Sequence, residues 1–184
     1  MGDATLLLTA VEKGDEEAAA KLLNLVYEEL RRLAASKMAR ETPGQTLQPT
    51  ALVHEAWLRL VGTKNPSFEN RVHFFSAAAE AMRRILIDRA RRKLAVRHGG
   101  NFQRTDLDGK DVAAPEADEQ LLAVSEVLDK LVGEHPAQAE VVKLRYFAGM
   151  TNEETAEVLG ISVSTAKRHW LFARAWILQE IEKS

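Results

Sequence analysis

The chain contains no cysteine. A disulfide scaffold and a thiolate metal site are therefore excluded, and the expected location is the cytoplasm. Aromatic residues make up only 6% of the 184 positions. Runs of β-branched residues and strand-like alternation are also scarce, so a sheet is not expected. No stretch approaches the roughly 20 apolar residues that a membrane helix needs. The opening sequence MGDATLLLTAVEKGDEE has neither a basic start nor a long apolar run, so a signal peptide is not expected. Leu6 stands where an acylation signal would need Ser or Thr. Internal repeats and low-complexity tracts are absent as well.

What is present is a vocabulary for helices. Hydrophobic residues reach 46%, drawn largely from Ala and Leu, and Glu and Arg supply much of the charge. The fold class read from this is all-α. The length suits two small helical domains of about 90 residues each. The charges are unevenly placed. Residues 1–100 hold 16 Lys/Arg against 12 Asp/Glu, and residues 101–184 hold 9 against 15. The first part is thus +4 and the second −6, which together give the −2 of the whole chain. Between Ala81 and His98 seven basic residues face Asp88 alone, and between Thr105 and Glu119 six acids face Lys110. A basic helix followed by an acidic stretch suggests one surface that meets a polyanion and another that avoids or mimics one.

Helical periodicity and turn residues divide the chain. A first helical segment covers about Thr5 to Ala39, with Gly14-Asp15 as a potential break. A second helix starts at Thr50 and places Leu52, Val53, Ala56, Trp57 and Leu60 on one face. Residues 62–70 read as a loop. A long helix follows from about His73 to Arg97 and is ended by Gly99-Gly100. The polar, acidic segment 101–115 has no period and is expected to be a linker between a domain at 1–100 and another at 116–184. Leu121, Leu122, Val124, Leu128, Leu131 and Val132 then form an apolar stripe, broken at His135-Pro136, before a helix from Ala137 to Phe147. Asp88 is expected to pair with a cation of its own basic helix.

The most informative segment is TNEETAEVLGISVSTAKRHWLFARAWILQE, residues 151–180. Thr151 and Glu154 fit a capping box. Gly160 suits a turn that needs positive φ, Ile161 can fill the corner, and Ser162 can cap the next helix. That helix is expected to run for about 18 residues, roughly 27 Å at 1.5 Å per residue. A short helix, a glycine turn and a second helix exposed at its start are the grammar of a helix-turn-helix. Ser164, Thr165, Lys167, Arg168 and His169 lie on its first turns, where hydroxyls and cations can meet base edges and phosphates. Ala166 is expected to face inward. An ordinary helical hairpin with a polar outer face is the plainer explanation of the same pattern.

The stretch VVKLRYFAGMTNEETAEVLGISVSTAKRHWLFARA resembles region 4 of the sigma-70 family. Residues 51–97, with ALVHEAWLRL, an aromatic HFF and ILIDRARRK, resemble region 2. Regions 1 and 3 have no counterpart, an arrangement similar to the extracytoplasmic-function class of sigma factors. The resemblance implies a function in directing core RNA polymerase to promoters. It implies that Leu52, Val53, Glu55, Trp57, Leu58 and Arg59 dock on the β′ clamp helices. It further implies that Asn65, Phe68, Asn70, His73, Arg83, Arg84, Arg91 and Arg92 capture the −10 strand by stacking and backbone contacts. Residues 164, 165 and 167–169 would read the −35 duplex, and the second domain would bind the β flap. An anti-sigma factor is a further partner that the class suggests; no membrane partner is. Phe75-Ser76 and His169 depart from the commoner pattern and mark a divergent subgroup.

No enzyme, metal or cofactor is expected. His54-Glu55 opens an HExxH pattern, but Leu58 occupies the second histidine position. A phosphate-binding glycine loop and a nucleophile elbow are also absent. The rival reading is a helix-turn-helix regulator whose N-terminal domain senses a ligand or dimerises.

Overall fold

The computed structural model describes residues 6–7, 10, 13, 15, 17–18, 21, 32, 35, 49–61, 70–99 and 115–183. All regular elements among them are helical: α1 (Pro49–Val61), α2 (Arg71–Gly99), α3 (Pro115–Glu134), α4 (Pro136–Val142), a widened π turn (Lys143–Phe147), α5 (Asn152–Leu159) and α6 (Val163–Glu182). Among the described residues no helix is long and apolar enough to cross a membrane.

α1 starts on Pro49, whose missing N–H costs nothing at a first helical position. It buries Leu52, Val53, Ala56 and Leu60, the stripe that its periodicity predicts, against α2. α2 begins where Asn70 caps it: Asn70 Oδ1 accepts the His73 N–H at 2.9 Å. Its first two-thirds are buried on nearly all sides, by Phe74, Phe75, Ala78, Ala79, Ala81, Met82, Ile85, Leu86 and Ile87. A helix so covered must lie between neighbours. α1 covers one flank, and α3 with the π turn covers the other. The buried alanines Ala78, Ala79 and Ala81 allow that close approach.

α3 buries Val124, Val127, Leu128 and Leu131, while Val132 at the end of the expected stripe is exposed. The break at His135 is local. Its N–H still reaches the Leu131 carbonyl at 2.7 Å, but Pro136 restarts the chain as α4. The helix expected from Ala137 to Phe147 is α4 plus the π turn. In that turn the Ala148 N–H reaches back five residues to the Lys143 carbonyl, at 3.2 Å. Leu144 and Phe147 are thereby both fully buried.

The buried residues of α1 and α2 and those of α3, the π turn, α5 and α6 form one continuous hydrophobic cluster. Phe147 lies in it with the Arg83 guanidinium 5.8 Å from its ring centre.

Candidate nucleic-acid interface

The hairpin of α5 and α6 is built by local hydrogen bonds that the sequence encodes. The Thr151 N–H donates to Glu154 Oε2 at 2.8 Å, and the Glu154 N–H donates to Thr151 Oγ1 at 3.1 Å. Two orphan donors of the helix start are thus satisfied. Partial burial pushes the Glu154 carboxyl up. The Thr151 N–H and the Arg32 guanidinium, 2.6 Å away, outweigh it and hold the group below the ordinary carboxylate range. α5 ends at Gly160, with φ 64° and ψ 31° in the left-handed region. The next N–H, of Ile161, closes onto the Ala156 carbonyl at 3.0 Å. Ser162 then caps α6 by accepting the Thr165 N–H at 3.0 Å.

Ala166 has no exposed surface, so the two helices pack through it. Ser164, Lys167 and Arg168 point to solvent on the opposite face. They sit at positions i, i+3 and i+4, one patch at the start of α6. Thr165 is half-buried and its hydroxyl lies 2.9 Å from Ser162 Oγ, so it belongs partly to the cap. His169 is half-buried too. Its Nδ1 is buried and has no hydrogen-bond partner among the described residues. Farther along, Arg145 lies over the Trp170 ring at 4.3 Å and ties α6 to the π turn. Leu171, Phe172 and Leu178 are exposed.

The residues expected at the −10 strand separate into three groups. Asn65 and Phe68 lie outside the described residues. Asn70 and His73 are exposed, but the Asn70 side chain is already engaged as the cap of α2. Arg84, Arg91 and Arg92 are exposed along α2. Arg83 is buried: Nη2 donates to the Ser125 carbonyl and to Asp129 Oδ1, both at 2.7 Å, and Nε donates to Ser125 Oγ at 3.0 Å. In this conformation it cannot meet a phosphate, because its donors are spent on α3 and, through Nη1 at 3.4 Å, on Glu80 of its own helix. Beside it an open pocket of about 330 Å³ is lined by Glu80, Arg84, Asp88, Arg91 and Asp129 among others. That mixture of signs is not a plain cationic groove.

The expected polymerase face also divides. Leu52 and Val53 are core residues with no exposed surface. Leu58 and Arg59 are exposed and Glu55 is half-exposed, while the Trp57 side chain lies outside the described residues. Arg59 bridges Glu55 at 3.1 Å and Asp88 at 3.3 Å. The Asp88 partner is thus Arg59 on α1 and not a cation of its own helix.

Sequence reasoning missed the acids that receive the cations of the N-terminal part. Asp129, Glu140, Glu154, Glu157 and Asp118 all do so or accept a hydroxyl there. The opposite charge surpluses of the two parts were the signal that pointed to them.

Among curated proteins none matches the chain. The profile of the ECF sigma factor family matches residues 1–183. With an all-helical fold and a helix-turn-helix at its end, the chain belongs to the ECF sigma factor family, whose part in the cell is the initiation of transcription.

Proposed function

We propose that this sigma factor directs core RNA polymerase to promoters by reading a −35 duplex with α6 and holding the melted −10 strand with the N-terminal domain. The 1–100 part would dock on the β′ clamp through the exposed side of α1, and the 116–184 part on the β flap. The carrying observation is the exposed Ser164, Lys167 and Arg168 patch on the first turns of α6, set out by the Gly160 turn and the Ser162 cap. A helix of this width fits the major groove, and its hydroxyl and cations match base-edge and phosphate acceptors. Exposed Arg84, Arg91 and Arg92 on α2 support a second, backbone-tracking contact.

The test is stoichiometric binding of the purified chain to bacterial core polymerase, followed by transcription from a promoter library. Defined new start sites support the reading. Failure to bind core, with dimeric binding to duplex DNA, would replace it by the regulator. Replacing Lys167 and Arg168 together by Ala should abolish −35-dependent initiation while core binding persists. If each cation neutralises one phosphate, the log–log salt slope becomes shallower by about two.

A further inference from the structure

His169 stands on α6 one turn beyond Thr165, in the row beside Ser164 and Arg168. The fully buried Ala166 and Ala173 mark the side of α6 that packs inward, and the half-buried ring lies between that side and the exposed patch. Its two nitrogens are in different settings. Nδ1 is buried and has no hydrogen-bond partner among the described residues, whereas Nε2 is accessible. Neutral imidazole carries its hydrogen on one nitrogen only. Placed on Nδ1, that hydrogen would be a buried donor with nothing to accept it, the rarer kind of orphan in folded chains. Placed on Nε2, it faces water. The ring therefore presents one N–H outward and keeps its acceptor hidden.

Lys167 and Arg168 differ in kind. Both are long and exposed, so they retain the rotamer freedom to follow a phosphate along the DNA backbone. A half-buried ring has given up much of that freedom on folding. A donor already held in place discriminates between base edges, where a mobile cation simply attracts. In the major groove guanine presents two adjacent acceptors, N7 and O6. Adenine sets an amino donor beside its N7, thymine flanks its one acceptor with a methyl group, and cytosine offers only a donor. A ring that can donate but not accept is matched best by guanine.

We infer that His169 determines promoter specificity in this chain by donating its Nε2 hydrogen to the N7–O6 edge of a guanine in the −35 duplex, while Lys167 and Arg168 supply sequence-independent affinity. The inference rests on the proposed −35 reading by α6 and adds to it the residue, the atom and the base.

The test selects duplexes from a pool randomised over the −35 region, with the full chain alone and with the chain bound to core polymerase. The parent should favour guanine over cytosine at one position of one strand, by about fivefold to tenfold. His169→Ala should level that position and leave the other preferences in place. Lys167→Ala should weaken binding to all sequences alike. Glutamine can bring its amide nitrogen close to the place of Nε2, and the shorter asparagine only to that of Nδ1. His169→Gln should therefore retain the guanine preference and His169→Asn should lose it, with the circular dichroism of both variants matching the parent. A preference that survives His169→Ala, or one that asparagine preserves as well as glutamine, overturns the assignment. So does loss of a preference for a base other than guanine. Selective duplex binding by the chain without any binding to core polymerase would instead overturn the promoter reading and leave the role of His169 in reading duplex DNA standing.

Discussion

At Gly160 a single missing Cβ decides the geometry of the hairpin. Its φ of 64° is a conformation that other L residues reach only with strain. A Cβ built there meets no atom within 4 Å, so the requirement is on the backbone and not on space. Gly160→Ala should accordingly destabilise the chain by about 1 kcal/mol without altering packing, and Gly160→Asn by less, because Asn tolerates the left-handed region. Thermal melting of both variants checks the order. An equal loss for both would show that the turn had rearranged. Gly160 was legible in the sequence because turn chemistry is local. Arg83 was not: nothing nearby distinguishes it from Arg84, yet one is buried against α3 and the other is exposed. The difference is made by residues 42 and 46 positions away, Ser125 and Asp129, which no local pattern reveals.

At the scale of elements, α5 is short enough that its cap matters. Eight residues give it little intrinsic stability, so the capping box and packing on α6 must hold it. Thr151→Ala removes the acceptor for the Glu154 N–H and should cost about 1 kcal/mol. Glu154 adds a pH dependence of known sign. Its folded carboxyl titrates below the ordinary value of 4.5, so the unfolded chain binds the proton more readily. The stabilisation is complete above that value and is lost as the pH falls through the lower, folded one. Glu154→Gln should therefore flatten the acid limb of a melting-temperature profile below about pH 4.5; an unchanged limb would mean that other carboxylates govern it. Elements were the most legible level. The starts of α1, α5 and α6 and the end of α2 fall within two residues of expectation, each marked by Pro, Thr, Ser or Gly. The π turn was not legible, because its widening follows from fitting Leu144 and Phe147 into a core shared with α2.

For the whole molecule, the question is whether the two parts of the chain behave as one cooperative body. The shared hydrophobic cluster argues that they do in the free state. Phe147 has no exposed surface, packs edge-on against Tyr146 and carries the Arg83 guanidinium near its ring. Phe147→Leu keeps the site apolar but loses the ring, at a cost of about 1–2 kcal/mol. If α2 is stabilised only by its own N-terminal neighbours, that cost should fall on residues 115–183 alone. If both parts lean on the same cluster, amide exchange should accelerate together in α1, which does not belong to the same part as Phe147, and in α6, which does. The shared cluster leads to the second outcome, with a single thermal transition for the parent chain. Such coupling has a functional consequence. The free energy that holds the parts together must be supplied by whatever separates them; if docking on core polymerase does so, its binding would be measurably weakened by changes that tighten the cluster and strengthened by those that loosen it, even where no altered residue touches the polymerase.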